Sequence, residues 1–123
     1  RRGIVLRMPR KRYEIIASTF DKKGNLIASG MNSYKKSHTL QKYFSEKVKM
    51  NSERIYLHSE LASLLKSKGK DVHSVLVQRF DNDGKPKNAR PCPSCVEAMK
   101  AWGVIKVKYT VEGGFKSEYI KEM

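Results

Sequence analysis

Two short motifs constrain this chain more than any other feature: HSE at residues 58–60 and PCPSC at residues 91–95. The second motif contains the chain's 2 cysteines, Cys92 and Cys95, and Pro93 between them suits the first turn of a helix. Leucines at helical spacing follow the first motif, so both motifs are predicted at helix starts. The cysteines then form a redox pair, part of a zinc site or two buried thiols.

The remaining pattern predicts an α/β domain in which helices pack against a central sheet. Alternating or valine-rich runs between glycine-containing turns indicate strands, and apolar residues every three or four positions indicate helices. In the first helix, Leu40, Tyr43, Phe44 and Val48 are predicted on one side, with Phe44 in the core, and Trp102 is predicted as core in the last helix. The predicted strands are 13–20, 26–31, 72–80, 104–111 and 115–120, and the predicted helices are 40–50, 58–68 and 93–102.

The cysteine motif alone leaves these alternatives open. A C-x-x-C sequence at a helix start has depressed thiol pKa values, which is the chemistry of thioredoxin-like redox proteins. The residues around Cys92 and Cys95 lack the aromatic and glycine neighbours usual in those proteins, and the preceding hairpin does not match their topology. A redox pair is therefore the weaker interpretation.

Taken together, the two motifs resemble the H-x-E and P-C-x-x-C signatures of the cytidine deaminase-like superfamily of zinc-dependent nucleobase deaminases. Here they are His58-Ser59-Glu60 and Pro91-Cys92-Pro93-Ser94-Cys95, with 34 positions from His58 to Cys92. The resemblance covers the order of elements from about residue 13 to residue 120. It implies a three-layer α/β/α fold with a central mixed sheet of about five strands and a C-terminal β-hairpin.

The resemblance also implies a catalytic site. His58, Cys92 and Cys95 correspond to the protein ligands of one Zn²⁺ per chain, which leave a fourth position open for a water whose pKa falls toward ~7. Glu60 corresponds to the residue that transfers protons. The implied enzyme is a hydrolase acting on a cyclic amidine, converting cytosine to uracil. Because a purely structural zinc site needs no proton carrier, Glu60 argues against a non-catalytic zinc-bearing nucleic-acid-binding module.

Further positions match the family's substrate contacts more weakly. Asn32 ends the second predicted strand, where the family commonly has a sugar-binding asparagine, although a plain turn residue fits equally well. Ser59 replaces the usual alanine; it keeps the backbone amide that would hold the base carbonyl and adds a hydroxyl to the pocket wall. Pro91 is expected to shape the cysteine loop. Tyr34 and His38 are expected at the pocket rim, where they can stack on a base.

Charge is the observation that bears on the substrate. The chain has 26 lysines and arginines against 12 aspartates and glutamates, a formal net charge of +14. Such an excess attracts polyanions, above all nucleic acid, although a solvated basic surface is the simpler reading. Basic clusters fall next to both predicted zinc helices. The residues predicted to bind nucleic acid are Lys35, Lys36, Lys85, Lys87 and Arg90.

We therefore expect cytosine deamination within a polynucleotide, a nucleic-acid-editing activity, with DNA favoured over RNA and a single strand over a duplex. Two alternatives stay open. One is a deaminase of free cytidine or deoxycytidine compounds of the dCMP-salvage type, which would need fewer cations. The predicted terminal hairpin resembles a branch of the family that contains both free-nucleoside and toxin-type deaminases. The other is adenine, a less favoured target of the same chemistry.

The chain is predicted to be a single deaminase domain over residues 13–123, preceded by a basic arm over residues 1–12. No apolar run reaches the ~20 residues of a membrane span, and no signal peptide is evident. Two cysteines make no disulfide framework, so a reducing, cytoplasmic compartment is expected. Because the sequence begins with Arg1 rather than Met, an origin as a module excised from a toxin-type protein is a further expectation.

Overall fold

The computed structural model of the chain describes residues 15–32, 39–48 and 58–123. Within these ranges the elements follow the predicted order. They are β1 (Ile15–Phe20), β2 (Leu26–Met31), α1 (Thr39–Lys47), α2 (Ser59–Lys66), β3 (Ser74–Arg79), α3 (Pro93–Ala101), β4 (Lys106–Val111), β5 (Gly114–Tyr119) and a 3-10 turn (Ile120–Glu122). The predicted basic arm lies outside the described residues. None of the described helices has the length and apolar character needed to cross a membrane.

The five strands form one mixed sheet in the order β2-β1-β3-β4-β5. β3 and β4 are parallel, and α3 lies in the connection between them, as a parallel pair requires. The other neighbouring pairs are antiparallel. β4 and β5 pair from Lys106 with Tyr119 to Val111 with Gly114, so the predicted C-terminal hairpin is present. The predicted α/β fold with a five-stranded mixed sheet is thereby confirmed.

A glycine sets how closely α2 approaches the sheet. Gly30 of β2 lies directly beneath the helix, where an added Cβ would be 2.6 Å from the backbone nitrogen of Ser63 and 2.8 Å from Cβ of Ala62. The far end of the helix is attached to β1, since the hydroxyl oxygens of Thr19 and Ser67 share a buried hydrogen bond of 2.8 Å. These two contacts hold α2, and the motif at its start, in a defined position over the strands.

The hydrophobic core fills the space between the helices and the face of the sheet on which they pack. Phe44 of α1 is buried in it, as predicted, and Trp102 packs against it partly buried. Within the described ranges all three helices belong to this one core. The largest buried side chains of the core include Leu61, Leu64, Val75, Val77, Met99, Val107 and Tyr109.

The inward face of α1 differs from the one predicted. Gln41 and Phe44 point inward, with 1% and 5% of their surface exposed, whereas Tyr43 is 55% exposed. The prediction that Tyr43 shares the buried stripe was wrong. Gln41 is held inside by two hydrogen bonds at the starts of α2 and α3: it accepts one from the backbone N–H of His58 and donates one to the hydroxyl of Ser94. Tyr43 instead packs edge-on against Phe44, with ring centroids 5.0 Å apart.

Candidate metal centre and active site

The two sequence motifs meet in space because α2 and α3 begin at the same place. His58 is the N-cap residue of α2 and Cys92 is that of α3, and both have extended backbone conformations. Cys95 lies one turn into α3, on its buried side. The first backbone N–H groups of a helix have no partner within it and give that end partial positive charge, which stabilises thiolate anions. The fold therefore concentrates three metal-binding side chains at two electropositive helix ends.

The three side chains form a compact set of donor atoms. Nδ1 of His58 lies 3.2 Å from Sγ of Cys95 and 3.4 Å from Sγ of Cys92, and the three donor atoms all lie within 4.8 Å of one another. In a tetrahedral zinc site with the usual bond lengths, ligand atoms are about 3.5 Å apart. One imidazole and two sulfurs are also donors that zinc prefers. The donor set fits a zinc ion, and the partial exposure of His58 and Cys92 leaves a side for a further ligand.

The thiols of this set differ in their affinity for protons. The hydrogen bond with Cys95, together with the one to His58, lowers the pKa of Cys92 to about 3 despite its burial. The same contact with Cys92, together with complete burial, raises the pKa of the Cys95 thiol well above its usual value. The hydrogen bond with Cys92 raises the pKa of His58. The site thus favours the thiolate form at Cys92 and the thiol form at Cys95.

Glu60 lies beside this set without belonging to it. Only 6% of its surface is exposed, and its carboxylate is not among the clustered donor atoms. Burial, followed by the nearby Cys92 thiolate, raises the pKa of Glu60. Ser59 Oγ donates a hydrogen bond of 3.0 Å to Oε1 of Glu60, so the serine hydroxyl that distinguishes this chain from the usual alanine contacts the carboxylate directly. A buried carboxyl group with a raised pKa next to a metal site is suited to carrying a proton.

A buried glutamine that the sequence did not single out supports the metal ligands. Gln41 of α1 accepts a hydrogen bond of 3.2 Å at Oε1 from the backbone N–H of His58, and its Nε2 donates one of 3.2 Å to Oγ of Ser94. Oγ of Ser94 in turn lies 3.1 Å from Sγ of Cys92. One side chain thus connects the starts of α2 and α3. The sequence signal for Gln41 was its position next to the apolar residues of α1. Periodicity alone predicts that a glutamine at this position faces solvent.

The weaker substrate predictions remain predictions. Asn32 follows β2, and its Oδ1 accepts a hydrogen bond of 2.8 Å from the backbone N–H of Ile15, which anchors the residue at the end of the hairpin. Pro91 is buried immediately before the cysteine pair, as a residue that shapes this loop would be. Tyr34 and His38 lie outside the described residues.

Of the five residues predicted to bind nucleic acid, three lie within the described ranges. Lys87 lies 3.3 Å from Glu112 and 3.8 Å from Asp81, and Arg90 donates to Glu118 at 2.8 Å. These carboxylates partly neutralise both cations. Lys85 is exposed in a turn and takes part in none of the ion pairs seen in the described ranges. The remaining two, Lys35 and Lys36, lie outside those ranges.

Solved structures with a similar fold include two cytidine deaminases. One is the cytidine deaminase from Mycobacterium leprae, with a TM-score of 0.51, 17% identical residues and coverage of 89% of this chain and 78% of that one. The other is a mutant of the cytidine deaminase from Mycobacterium tuberculosis, with a TM-score of 0.50, 15% identity and coverage of 94% and 79%. No family model and no curated protein matches the sequence. The cytidine deaminase-like fold expected from the motifs is confirmed.

Proposed function

We propose that this chain, which has the cytidine deaminase-like fold, is a zinc-dependent hydrolase that deaminates cytosine to uracil within a polynucleotide, single-stranded DNA above all. The observation that carries the proposal is the convergence of His58, Cys92 and Cys95 at two helix starts, with the buried carboxyl group of Glu60 beside them. Three ligands with room for a fourth are typical of catalytic rather than structural zinc.

The residues at the site divide the chemistry between them. When bound by His58, Cys92 and Cys95, zinc would supply Lewis acidity that lowers the pKa of a water molecule toward ~7. In the overall reaction water adds its oxygen to C4 of the base, the bond from C4 to the exocyclic nitrogen breaks, and ammonia leaves. The Glu60 carboxylate accepts one proton from the attacking water and delivers it to the ring nitrogen; it then accepts the second proton of that water and delivers it to the amine, which leaves as ammonia. The bond from Ser59 to Oε1 leaves Oε2 as the oxygen assigned to this transfer.

The base itself would be held by the start of α2. Ser59 is the first residue of that helix, so its backbone N–H has no acceptor within the helix and can donate to a carbonyl oxygen of the base. Ser59 is fully buried, which makes the side chain part of the pocket wall. This contact orients the ring so that C4 faces the metal ligands and the ring nitrogen faces Glu60.

Charge supports a polynucleotide substrate. The net charge of +14 exceeds what a free nucleoside needs, because a nucleoside carries no phosphate. A base must be unpaired to enter a buried site, and extruding it from a duplex costs a few kcal/mol, which favours single strands.

Free cytidine or deoxycytidine compounds are the second candidate substrate class. Both solved structures described above are cytidine deaminases. The ion pairs of Lys87 and Arg90 also reduce the positive charge that the described part of the chain offers next to the cysteine loop. Both candidate substrate classes would react at the same site. They differ in whether the protein also contacts a polynucleotide outside that site.

The test is a parallel assay of the zinc-loaded protein on a cytosine-containing single-stranded DNA, the same sequence as a duplex and as RNA, free deoxycytidine and dCMP. Uracil is measured by chromatography after nuclease digestion. We expect the fastest initial rate on the single-stranded DNA, with a steep decrease as salt rises. Faster turnover of deoxycytidine or dCMP, with a rate that salt does not change, would favour the free-substrate alternative. Product from none of these would contradict the deaminase assignment itself.

A further inference from the structure

The face of the sheet turned away from the helices carries a second chemically distinct surface. Cross-strand register shows which residues share this face: Ser18 pairs with Leu76, Leu76 with Lys108, and Lys108 with Ser117. The neighbouring positions two residues along each strand point the same way. The strand residues on this face that form what we call the outer surface are Phe20, Ser74, Leu76, Lys106, Lys108, Phe115, Ser117 and Tyr119.

On the outer surface, lysines of β4 lie beside aromatic rings of the neighbouring strand β5. Nζ of Lys106 lies 6.0 Å from the centre of the Tyr119 ring, and Nζ of Lys108 lies 5.0 Å from that of the Phe115 ring. Both rings are half exposed, at 49% for Tyr119 and 50% for Phe115. Large apolar side chains are usually buried, so two neighbouring half-exposed rings mark this surface as a candidate binding site.

The charge of the outer surface is of one sign. None of the strand residues that we assign to it is acidic, whereas Glu118 of β5 points to the opposite face, where it accepts a hydrogen bond from Arg90. An open groove of about 330 Å³ runs through the surface, with Phe20 and Leu76 on one side and Lys106 and Lys108 on the other. Within the described ranges, the helices pack on the other side of the sheet.

We propose that the outer surface binds single-stranded nucleic acid, with phosphates at Lys106 and Lys108 and bases stacked on Phe115 and Tyr119. Exposed rings offer π-faces to any base, and lysines between them neutralise the backbone, which is the combination that single-strand binders use. Phe115 and Tyr119 are four residues apart on one strand, roughly 13 Å, so each ring can take a separate base. A membrane would need a larger apolar area, and an acidic peptide would leave the rings without a role.

This inference goes beyond the proposed catalytic site. The metal ligands lie at the starts of helices that cover the opposite face of the sheet, so the outer surface cannot hold the reacting base. It would hold a part of the strand distant from that base and raise the local concentration of substrate at the site. Binding there needs neither zinc chemistry nor Glu60.

The test measures binding of the full-length, zinc-loaded protein to fluorescein-labelled oligo(dT) by anisotropy. Thymine carries no amino group to remove, so failure of the deaminase proposal does not affect the measurement. We expect Phe115→Leu and Tyr119→Leu, which keep apolar bulk but remove the ring, to weaken binding by roughly 5-fold or more each. Lys108→Ala should weaken binding several-fold and reduce the slope of log affinity against log salt by about 0.7.

Lys116→Ala is the matched control, because Lys116 is an exposed lysine of the same hairpin on the opposite face. We expect its affinity to stay within about 2-fold of the wild-type value. Photocrosslinking of the wild-type protein to oligo(dT), followed by peptide mapping, gives a readout that does not depend on variants folding; crosslinks should fall in β4 and β5. The proposal would be overturned if Lys108→Ala and Lys116→Ala changed oligo(dT) affinity equally while the two leucine variants bound as tightly as the wild-type protein. It would also be overturned by crosslinks confined to other segments, or by variants that alter self-association and leave oligo(dT) binding unchanged.

Discussion

The proposed chemistry depends on four side chains whose positions follow from two helix starts. His58 and Cys92 occupy N-cap positions, where the chain leaves its extended conformation, and Cys95 and Glu60 lie within the first turns that follow. The first-turn N–H groups of α3 stabilise the Cys92 thiolate, and burial raises the pKa of Glu60. Ser59 and Gln41 each add a hydrogen bond to this group, one to the Glu60 carboxylate and one to the His58 backbone.

The metal assignment predicts one tightly bound zinc ion per chain. The Cys92→Ala Cys95→Ala double variant should lose it, because a lone imidazole cannot replace two sulfur ligands. Metal analysis of protein purified without chelators measures this directly. Zinc at one equivalent in the double variant, or none in the wild-type protein loaded with zinc, would refute the assignment.

Gln41 is predicted to support the zinc ligands through its hydrogen bonds. Gln41→Met keeps the volume but leaves the buried N–H of His58 without an acceptor, and we expect zinc affinity to fall roughly 10- to 100-fold, as for other partners of metal ligands. Gln41→Glu is the matched variant, since it retains an oxygen for that N–H. Zinc competition titrations compare the two. Equal affinity in Gln41→Met and the wild-type protein would show that α1 merely packs against the site.

At the level of elements, the position of α2 depends on the close approach of β2. The Gly30 backbone leaves room for Ser63 and Ala62 that a side chain would fill. The C-terminal hairpin is joined to the cysteine loop instead by charge: Arg90 donates to Glu118, which also accepts a hydrogen bond from the Tyr109 hydroxyl. The motif at the start of α2 is thus positioned by the close contact of the helix with Gly30. The cysteine motif is positioned by the ion pair between Arg90 and Glu118.

Gly30→Ala should therefore disturb the site from a distance. The added methyl group overlaps the helix backbone, and we expect a loss of about 1–3 kcal/mol in the free energy of unfolding together with weaker zinc binding. Gly114→Ala is the control, since a Cβ there meets nothing within 4 Å. Urea denaturation of the two variants provides the measurement. A Gly30→Ala protein as stable as the wild-type protein would show that the helix can shift without cost.

The Glu118 contacts predict an acid-dependent contribution to stability. Hydrogen bonds from Arg90 first, and then from Tyr109, lower the pKa of Glu118 in the folded chain. A group whose pKa is lower in the folded state stabilises it above the unfolded pKa, and this stabilisation is lost as pH falls through the folded value. The difference in urea midpoint between the wild-type protein and Glu118→Gln should therefore be present at pH 7 and disappear in acid.

Because Glu118 is partly exposed to solvent, which screens its ion pair, the effect should be small. Glu122→Gln is the control, since Glu122 takes part in none of the ion pairs seen in the described ranges. A difference for Glu118→Gln that does not change with pH would argue that the ion pair has no part in stability.

For the whole molecule, apolar patterning predicted the α/β sheet. The metal donor set followed from the resemblance of the two motifs to those of the cytidine deaminase-like superfamily. The sequence did not predict the burial of Gln41 or the exposure of Tyr43, since periodicity treats every amide as polar and every ring as apolar. Nor did it show that Lys87 and Arg90 face carboxylates of the C-terminal hairpin, because those contacts join residues 25 and 28 positions apart. The aromatic and basic outer surface likewise depends on strand register.

The most direct test of the account is uracil formation by matched preparations of the wild-type protein and Glu60→Gln, each with one zinc ion per chain and the same unfolding midpoint. The substrates are a cytosine-containing single-stranded DNA and free deoxycytidine. We expect uracil and an equal amount of ammonia from the wild-type protein on at least one of them. We expect a rate at least 10²- to 10⁴-fold lower for Glu60→Gln, because the proton carrier is lost while the metal remains. No uracil from either substrate with the wild-type protein, or an unchanged rate in Glu60→Gln, would contradict this expectation.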